Sequence, residues 1–207
     1  MGSACNHQCL IYEGPASSHI ESLANIILEK LKTRHRCLYL NSPKFVAEMR
    51  KRLSAMGLDV EKEIASGALI LSSEQTKLTG GEFDGDAMLK SLRNAVDQAV
   101  MDGYKGLWAS GDMAWELGGK IDLDKLFDYE YALEEMFHEG LPLSGICQYH
   151  RDAIPASALR VALIAHKNLW INKTLVLDNP HYMQVRDMRD TGELDGDLQK
   201  LLATATV

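Results

Sequence analysis

Residues 9–31, CLIYEGPASSHIESLANIILEKL, decide the fold. The apolar run at residues 9–12 predicts a buried strand, and a polar turn that contains Gly14 follows it. Ser18 and Glu21 then fit a capping box that opens a helix, along which apolar residues recur on one face. This strand–turn–helix pattern is typical of the first unit of a parallel α/β sheet.

The same alternation of apolar runs and amphipathic helices continues along the chain. Five further strands are predicted, at residues 37–40, 68–71, 106–110, 143–149 and 174–177. The polar segment 73–84 is predicted to be a loop, and residues 59–65 a short helix. Strands that are buried on both faces indicate a three-layer α/β fold, with a mainly parallel, Rossmann-like sheet between two layers of helices.

Composition limits the functional classes. The chain has 207 residues, 46% of them hydrophobic and 25% charged, which predicts one globular domain. A net charge of −7 argues against a broad nucleic-acid surface, and no apolar run is long enough to predict a membrane span. The four cysteines are too sparse for a disulfide scaffold, so we expect a cytoplasmic protein.

The first turn lacks the residues with which nucleotide hydrolases grip phosphate. A phosphate-binding loop would read G-x-x-x-x-G-K-[ST], whereas this turn has no lysine and carries Glu13 where phosphate would lie. Asp112 follows the fourth predicted strand and would either cap the next segment or bind a polar ligand group. Trp115 is either a core aromatic or a pocket wall. Because no catalytic set is recognisable, we expect a protein that is not an enzyme.

A metal site is an alternative interpretation of the first and fifth predicted strands. His7 and Cys9 share one face of a strand because side chains alternate. If the two strands are neighbours, Cys147 could join them in a site for zinc or copper. Packing in the core is the simpler interpretation of these cysteines. The acidic runs at 59–63 and 122–135 are expected to be solvated helix faces.

Several ordered segments resemble one family. They are residues 7–13 (HQCLIYE), 80–84 (GGEFD), 111–115 (GDMAW), 147–149 (CQY) and 179–182 (NPHY). In this order they resemble the MEDS domain, the methanogen/methylotroph DcmR-type sensory domain. The resemblance implies a RecA/KaiC-like core without a working phosphate loop and a role in prokaryotic signal transduction, sensing small molecules such as simple hydrocarbon derivatives. Relatives are often joined to a histidine kinase or a DNA-binding module, and neither is recognisable after residue 182.

The resemblance also implies a set of pocket residues and a division of the chain. Residues 6–182 would be the sensory domain, and residues 183–207 a polar C-terminal tail with at most a short helix. The implied ligand-binding residues are His7, Cys9, Tyr12, Glu13, Asp112, Trp115, Cys147 and Tyr149.

We therefore expect a sensor of a small organic ligand that signals to a histidine kinase or a transcription regulator. It would make no direct contact with nucleic acid or membrane, and no cofactor follows from the sequence. A symmetric homodimer is the default expectation. A metal or redox sensor built on His7, Cys9 and Cys147 is one alternative, and a vestigial nucleotide-binding protein is another.

Overall fold

A twisted sheet flanked by helices runs through the protein, as seen in a computed structural model. The structure describes residues 7–15, 17–73, 78–79, 82–116, 122–172, 174–176 and 178–184. The strands in these residues are β1 (His7–Tyr12), β2 (Arg36–Leu40), β3 (Leu69–Ser72), β4 (Leu78–Thr79), β5 (Glu82–Phe83), β6 (Leu107–Asp112), β7 (Leu143–His150), β8 (Asn168–Ile171) and β9 (Thr174–Val176).

Seven of these strands form one sheet in the order β3-β2-β6-β7-β1-β8-β9. Every neighbouring pair from β3 to β8 is parallel, and only β9 runs antiparallel to its neighbour. β4 and β5 form a separate antiparallel pair. The predicted three-layer, mainly parallel α/β fold is thereby confirmed.

Two layers of helices cover the sheet. The helices are α1 (Ser17–Lys32), α2 (Pro43–Ala55), α3 (Val60–Ala65), α4 (Gly85–Met101), α5 (Met113–Glu116), α6 (Leu123–His138) and α7 (Ala156–Ala165). Apolar side chains of α1, α2 and α3 pack with Leu10 and Tyr12 of β1 on one face. Those of α4, α6 and α7 pack with Cys9 and Ile11 on the other. None of the described helices is long and apolar enough to cross a bilayer.

Local chemistry explains where several helices begin. The Asp84 carboxylate accepts a hydrogen bond from the Ala87 amide at 2.9 Å, and Asp122 accepts from the amides of Asp124 and Lys125. Each aspartate satisfies amides that the first turn of a helix leaves without a partner. The proposed capping role of Ser18 falls on a side chain outside the described part of the structure.

The sequence prediction missed one strand at the end of the sheet. The strand predicted at residues 174–177 is present as β9 (Thr174–Val176), but β8, the sixth parallel strand, which pairs with β1, was not predicted. Asn172, with φ 53°, reverses the chain so that Thr174–Val176 returns antiparallel as β9. The predicted loop at 73–84 likewise contains β4 and β5. The predicted tail at 183–207 lies almost wholly outside the described residues.

Candidate functional site

The carboxyl ends of the central strands carry a pair of buried polar side chains. Tyr12 ends β1 and Asp112 ends β6, and both are nearly inaccessible to solvent. The Tyr12 hydroxyl donates to Asp112 Oδ2 at 3.1 Å, and the Tyr12 ring stacks on His150 with centroids 4.8 Å apart. Burial, followed by the Asp112 charge, raises the pKa of Tyr12, so its hydroxyl remains a donor.

A cavity of about 650 Å³, here called the strand-end cavity, opens above this pair. Its walls come from the segments that follow β1, β2, β6 and β7. The connections after β1 and β2 run to one face of the sheet, and those after β6 and β7 run to the other. Proteins with α/β sheets bind ligands in the crevice between connections that diverge in this way. The lining residues are Tyr12, Gly14, Pro15, Asn41, Ser42, Lys44, Phe45, Glu48, Asp112, Ala114 and His150.

The turn after β1 uses its backbone groups internally. The Gly14 amide donates to the Asp152 carboxylate at 3.0 Å, and the Glu13 amide donates to Asn172 Oδ1 at 3.1 Å. His150 Nε2 lies 2.9 Å from the Gly14 carbonyl oxygen, which can only accept, so Nε2 donates. The exposed Glu13 carboxylate pairs with Arg151 at 2.8 Å. Two amides that a phosphate loop would offer to its ligand are therefore occupied by protein groups.

The opposite end of β1 carries a buried group of polar side chains beneath α6 and α7. His7 is fully buried at the start of β1, and its Nδ1 lies 2.7 Å from Glu134 Oε2. Glu134 Oε1 accepts from the Tyr182 hydroxyl at 2.8 Å. Burial opposes ionisation of Glu134, but the hydrogen bond and charge of His7, with help from Tyr182, lower the pKa of that carboxyl.

Three further side chains complete this group. Glu130 Oε2 lies 3.8 Å from His7 Nε2 and 3.6 Å from His166 Nε2. Glu130 Oε1 accepts from the Tyr149 hydroxyl, and Cys147 Sγ lies 3.5 Å from His7 Nε2. Burial raises the pKa of Glu130 and lowers the pKa of His166 well below its usual range. We call the side chains of His7, Glu130, Glu134, Cys147 and His166 the buried His–Glu–Cys cluster.

The eight residues predicted to line one pocket lie in separate places. Tyr12 and Asp112 line the strand-end cavity, while Glu13 is exposed beside it. Cys147 contacts His7, and Tyr149, which pairs with Ile11 in the sheet, donates its hydroxyl to Glu130, so all three belong to the polar group beneath α6 and α7. Cys9 is fully buried in the α6-side core, where burial and the nearby Glu130 raise the pKa of its thiol. The side chain of Trp115 lies outside the described part of the structure.

Sequence reasoning missed Glu130, Glu134 and His166. The expectation that the acidic run 122–135 is a solvated face is wrong for both glutamates, which are at most 1% exposed. The pattern that could have shown this is helical spacing. Leu126, Glu130 and Leu133 recur at intervals of four and three residues, so this glutamate shares the buried face of α6.

Comparisons with known proteins agree with this architecture. Residues 6–167 match the model of the MEDS family, described as the methanogen/methylotroph, DcmR sensory domain. No curated protein matches the chain.

Two solved structures resemble the chain at low sequence identity. One is a KaiC-like protein from the hyperthermophilic archaeon Pyrococcus horikoshii OT3, with TM-score 0.57 and 11% identity over 80% of this chain and 70% of that chain. The other is the flagellar accessory protein FlaH from Methanocaldococcus jannaschii, with TM-score 0.58 and 13% identity over 86% of this chain and 83% of that chain. They show that the fold is KaiC-like and RecA-like, and the match over residues 6–167 shows that this chain belongs to the MEDS family of sensory domains.

Proposed function

We propose that this protein is a non-enzymatic sensory domain that binds a small organic ligand in the strand-end cavity. The observation that carries the proposal is the position of this cavity, over the carboxyl ends of β1, β2, β6 and β7. Ligands of open α/β sheets bind at such a point because the diverging connections leave a crevice between them.

The size and lining of the strand-end cavity favour a small molecule. Its volume of about 650 Å³ falls within the range of pockets that hold small ligands. Phe45, Pro15 and Ala114 give it apolar surface, and Asn41 and Asp112 add polar groups that could orient a ligand. Because the other lining residues are mostly polar or charged, we infer a compact molecule that combines an apolar part with hydrogen-bonding groups.

The same geometry disfavours nucleotide hydrolysis. The amides of Glu13 and Gly14 already bind side chains of the protein, and Asp112 accepts a hydrogen bond from Tyr12. Vestigial nucleotide binding is the second candidate, and one observation favours it, because Lys44 brings a cation to the rim of the cavity.

Thermal unfolding in the presence of candidate ligands tests the proposal. The panel would contain short alcohols, amines, carboxylic acids and halogenated hydrocarbons, together with ATP and magnesium. We expect at least one organic compound to raise the melting temperature in a saturable manner, because a ligand that binds only the folded state stabilises it. A response to ATP alone would establish the second candidate instead.

A matched pair of variants locates the binding site. Ser42 lines the strand-end cavity and makes no side-chain capping bond to α2, so Ser42→Leu adds bulk there without removing a hydrogen bond to the helix. Ser54→Leu adds the same bulk at an exposed position of α2. Ligand-induced stabilisation should be lost in the first variant and retained in the second. Equal stabilisation of both variants would place the ligand elsewhere and refute the assignment.

Signalling requires a partner protein, and we propose a histidine kinase or a transcription regulator in that role. What supports this is membership of a family of sensory domains. A bacterial two-hybrid screen against the kinases and regulators of the source organism, with and without the ligand found above, would identify the partner. Light scattering of the purified protein would test the predicted homodimer.

A further inference from the structure

The geometry of the buried His–Glu–Cys cluster points to a second site, independent of the strand-end cavity. We propose that His7, Glu130, Cys147 and His166 bind one divalent transition-metal ion, and that zinc is the ion their chemistry suits best. Two imidazoles, one thiolate and one carboxylate are all established zinc ligands.

The spacing of the ligand atoms fits a single ion. One atom from each of the four residues lies within 4.8 Å of all the others. Around a tetrahedral zinc ion, bond lengths of about 2.0–2.3 Å place neighbouring ligand atoms roughly 3.3–3.8 Å apart. The distances from His7 Nε2 to Cys147 Sγ, from His166 Nε2 to Glu130 Oε2 and from His7 Nε2 to Glu130 Oε2 are 3.5, 3.6 and 3.8 Å.

Hydrogen bonds outside this set aim both imidazoles at the same point. His166 Nδ1 lies 2.8 Å from the Ala162 carbonyl oxygen, which only accepts, so Nδ1 carries the proton and Nε2 presents a lone pair. His7 Nδ1 faces the Glu134 carboxylate in the same way. A metal-binding histidine characteristically donates its other N–H to a carboxylate or carbonyl, because that bond fixes the tautomer and orients the ring.

The cluster also contains polar atoms that lack partners. Glu130 Oε2 and His166 Nε2 are buried and have no hydrogen-bond partner among the described residues. When His7 is neutral and its Nε2 presents a lone pair, as that of His166 does, the Glu130 oxygen faces two acceptors across 3.6 and 3.8 Å. A single proton could form a hydrogen bond across only one of these two contacts, whereas a divalent cation would bind all three atoms. The charges of one thiolate and one carboxylate would balance that cation.

The elements that supply the ligands indicate what the ion does. His7 and Cys147 come from the neighbouring strands β1 and β7, Glu130 from α6, and His166 from the end of α7. Four protein ligands leave no open position for a substrate, so the ion would tie both helices to the sheet. Cys9 is not among the four ligands, although it lies beside Cys147 in the register of the sheet.

Metal analysis and cobalt substitution test the proposal directly. The untagged chain would be purified anaerobically, stripped with a chelator and titrated with zinc, and bound metal counted by plasma mass spectrometry. We expect one zinc ion per chain. We also expect cobalt(II) to give the intense visible bands of a tetrahedral site and a thiolate-to-metal absorption in the near ultraviolet.

Three cysteine variants identify the thiolate. Cys147→Ser should remove the thiolate absorption and weaken zinc binding by more than the roughly 10–100-fold cost of changing a group outside the ligand set. Cys9→Ala and Cys37→Ala, which change buried cysteines outside the four ligands, should keep one zinc ion per chain. Loss of metal in Cys9→Ala and not in Cys147→Ser would overturn this ligand set.

Two further results would overturn the proposal. One is a folded wild-type chain, as judged by circular dichroism, that takes up neither zinc nor cobalt. The other is a wild-type cobalt complex without thiolate absorption. This measurement needs no variant, so it tests the proposal even if the variants do not fold.

Glu130→Gln keeps an oxygen for the Tyr149 hydroxyl but removes the charge, and should weaken zinc binding at least 10-fold.

Discussion

Replacement of Arg36 by methionine should destabilise the protein far more than the usual loss of a surface arginine. Arg36 begins β2, and its side chain is only 8% exposed. Nε donates to the Gly67 carbonyl at 2.7 Å, Nη2 contacts Asp102 Oδ2 at 2.5 Å, and the guanidinium lies 4.8 Å from the centre of the Tyr104 ring. One side chain therefore joins the start of β2 to the turns before β3 and β6.

The magnitude follows from these contacts. The charged hydrogen bond to the Gly67 carbonyl contributes about 1.5–3 kcal/mol, and the contact with the Tyr104 ring adds about 0.5–1 kcal/mol. The pair with Asp102 adds little, because solvent screens that carboxylate. Methionine would keep the apolar stem and avoid burying a charge, so we expect a net loss of about 2–4 kcal/mol in the free energy of unfolding. For a protein of this size that lowers the melting temperature by roughly 4–16 °C.

Urea unfolding followed by circular dichroism measures the free energy, and Arg93→Met provides the control. Arg93 forms a two-point contact with Glu139 at 2.7 and 2.8 Å, but both side chains are more than 40% exposed. Exposed pairs of this kind contribute little, so this variant should unfold at the urea concentration of the wild type. If the two variants agree within about 0.5 kcal/mol, burial of Arg36 does not have the importance inferred here.

Three further outcomes are expected. Burial raises the pKa of the Cys37 thiol to about 12, so iodoacetamide at pH 8 should leave it unmodified in the folded protein, and mass spectrometry showing rapid labelling would contradict this. Gly145→Ala should lower the free energy of unfolding by about 1–3 kcal/mol, because its new Cβ would lie 2.6 Å from the Ala109 carbonyl oxygen. An unchanged midpoint of urea unfolding would contradict this close approach of the two strands. Hydrogen bonds from Arg36 and then Gln98 lower the pKa of Asp102 in the folded protein. The ionised Asp102 carboxylate therefore stabilises the fold above the pKa of a free aspartate, and this stabilisation is lost as the pH falls through the lowered pKa. The difference in the free energy of unfolding between wild type and Asp102→Asn should therefore shrink as pH falls below 4. A difference that grows would contradict the direction of the pKa shift.

The fold could be predicted because its information is local. The apolar run of β1 and the amphipathic pattern of α1 each lie within one window of sequence, as do the capping aspartates Asp84 and Asp122. β8 was missed because Leu169, Trp170 and Ile171 follow the apolar helix α7 closely, so the pattern alone does not separate helix from strand.

The cluster could be predicted only in part because it depends on contacts between distant residues. The spacing of His7 and Cys9 indicated the correct strand, but the residues that His7 contacts lie far away in the sequence. Glu134 is 127 positions from His7, and Cys147 is 140 positions from it. A glutamate on an amphipathic helix is usually solvated. Only the docking of α6 over β1 and β7 shows that Glu130 and Glu134 face inward.

The alternation of side chains along β1 limits how this sequence can vary. His7, Cys9 and Ile11 face α6 and α7, whereas Leu10 and Tyr12 face α1 and α2. A substitution at any one of these positions alters one face alone. Deleting a single residue within the strand would instead move His7 or Tyr12 to the wrong side, because the side-chain period is two. The single register of β1 thus positions one residue of each site, so a change in the length of β1 would disturb both sites at once, whereas a substitution would disturb one.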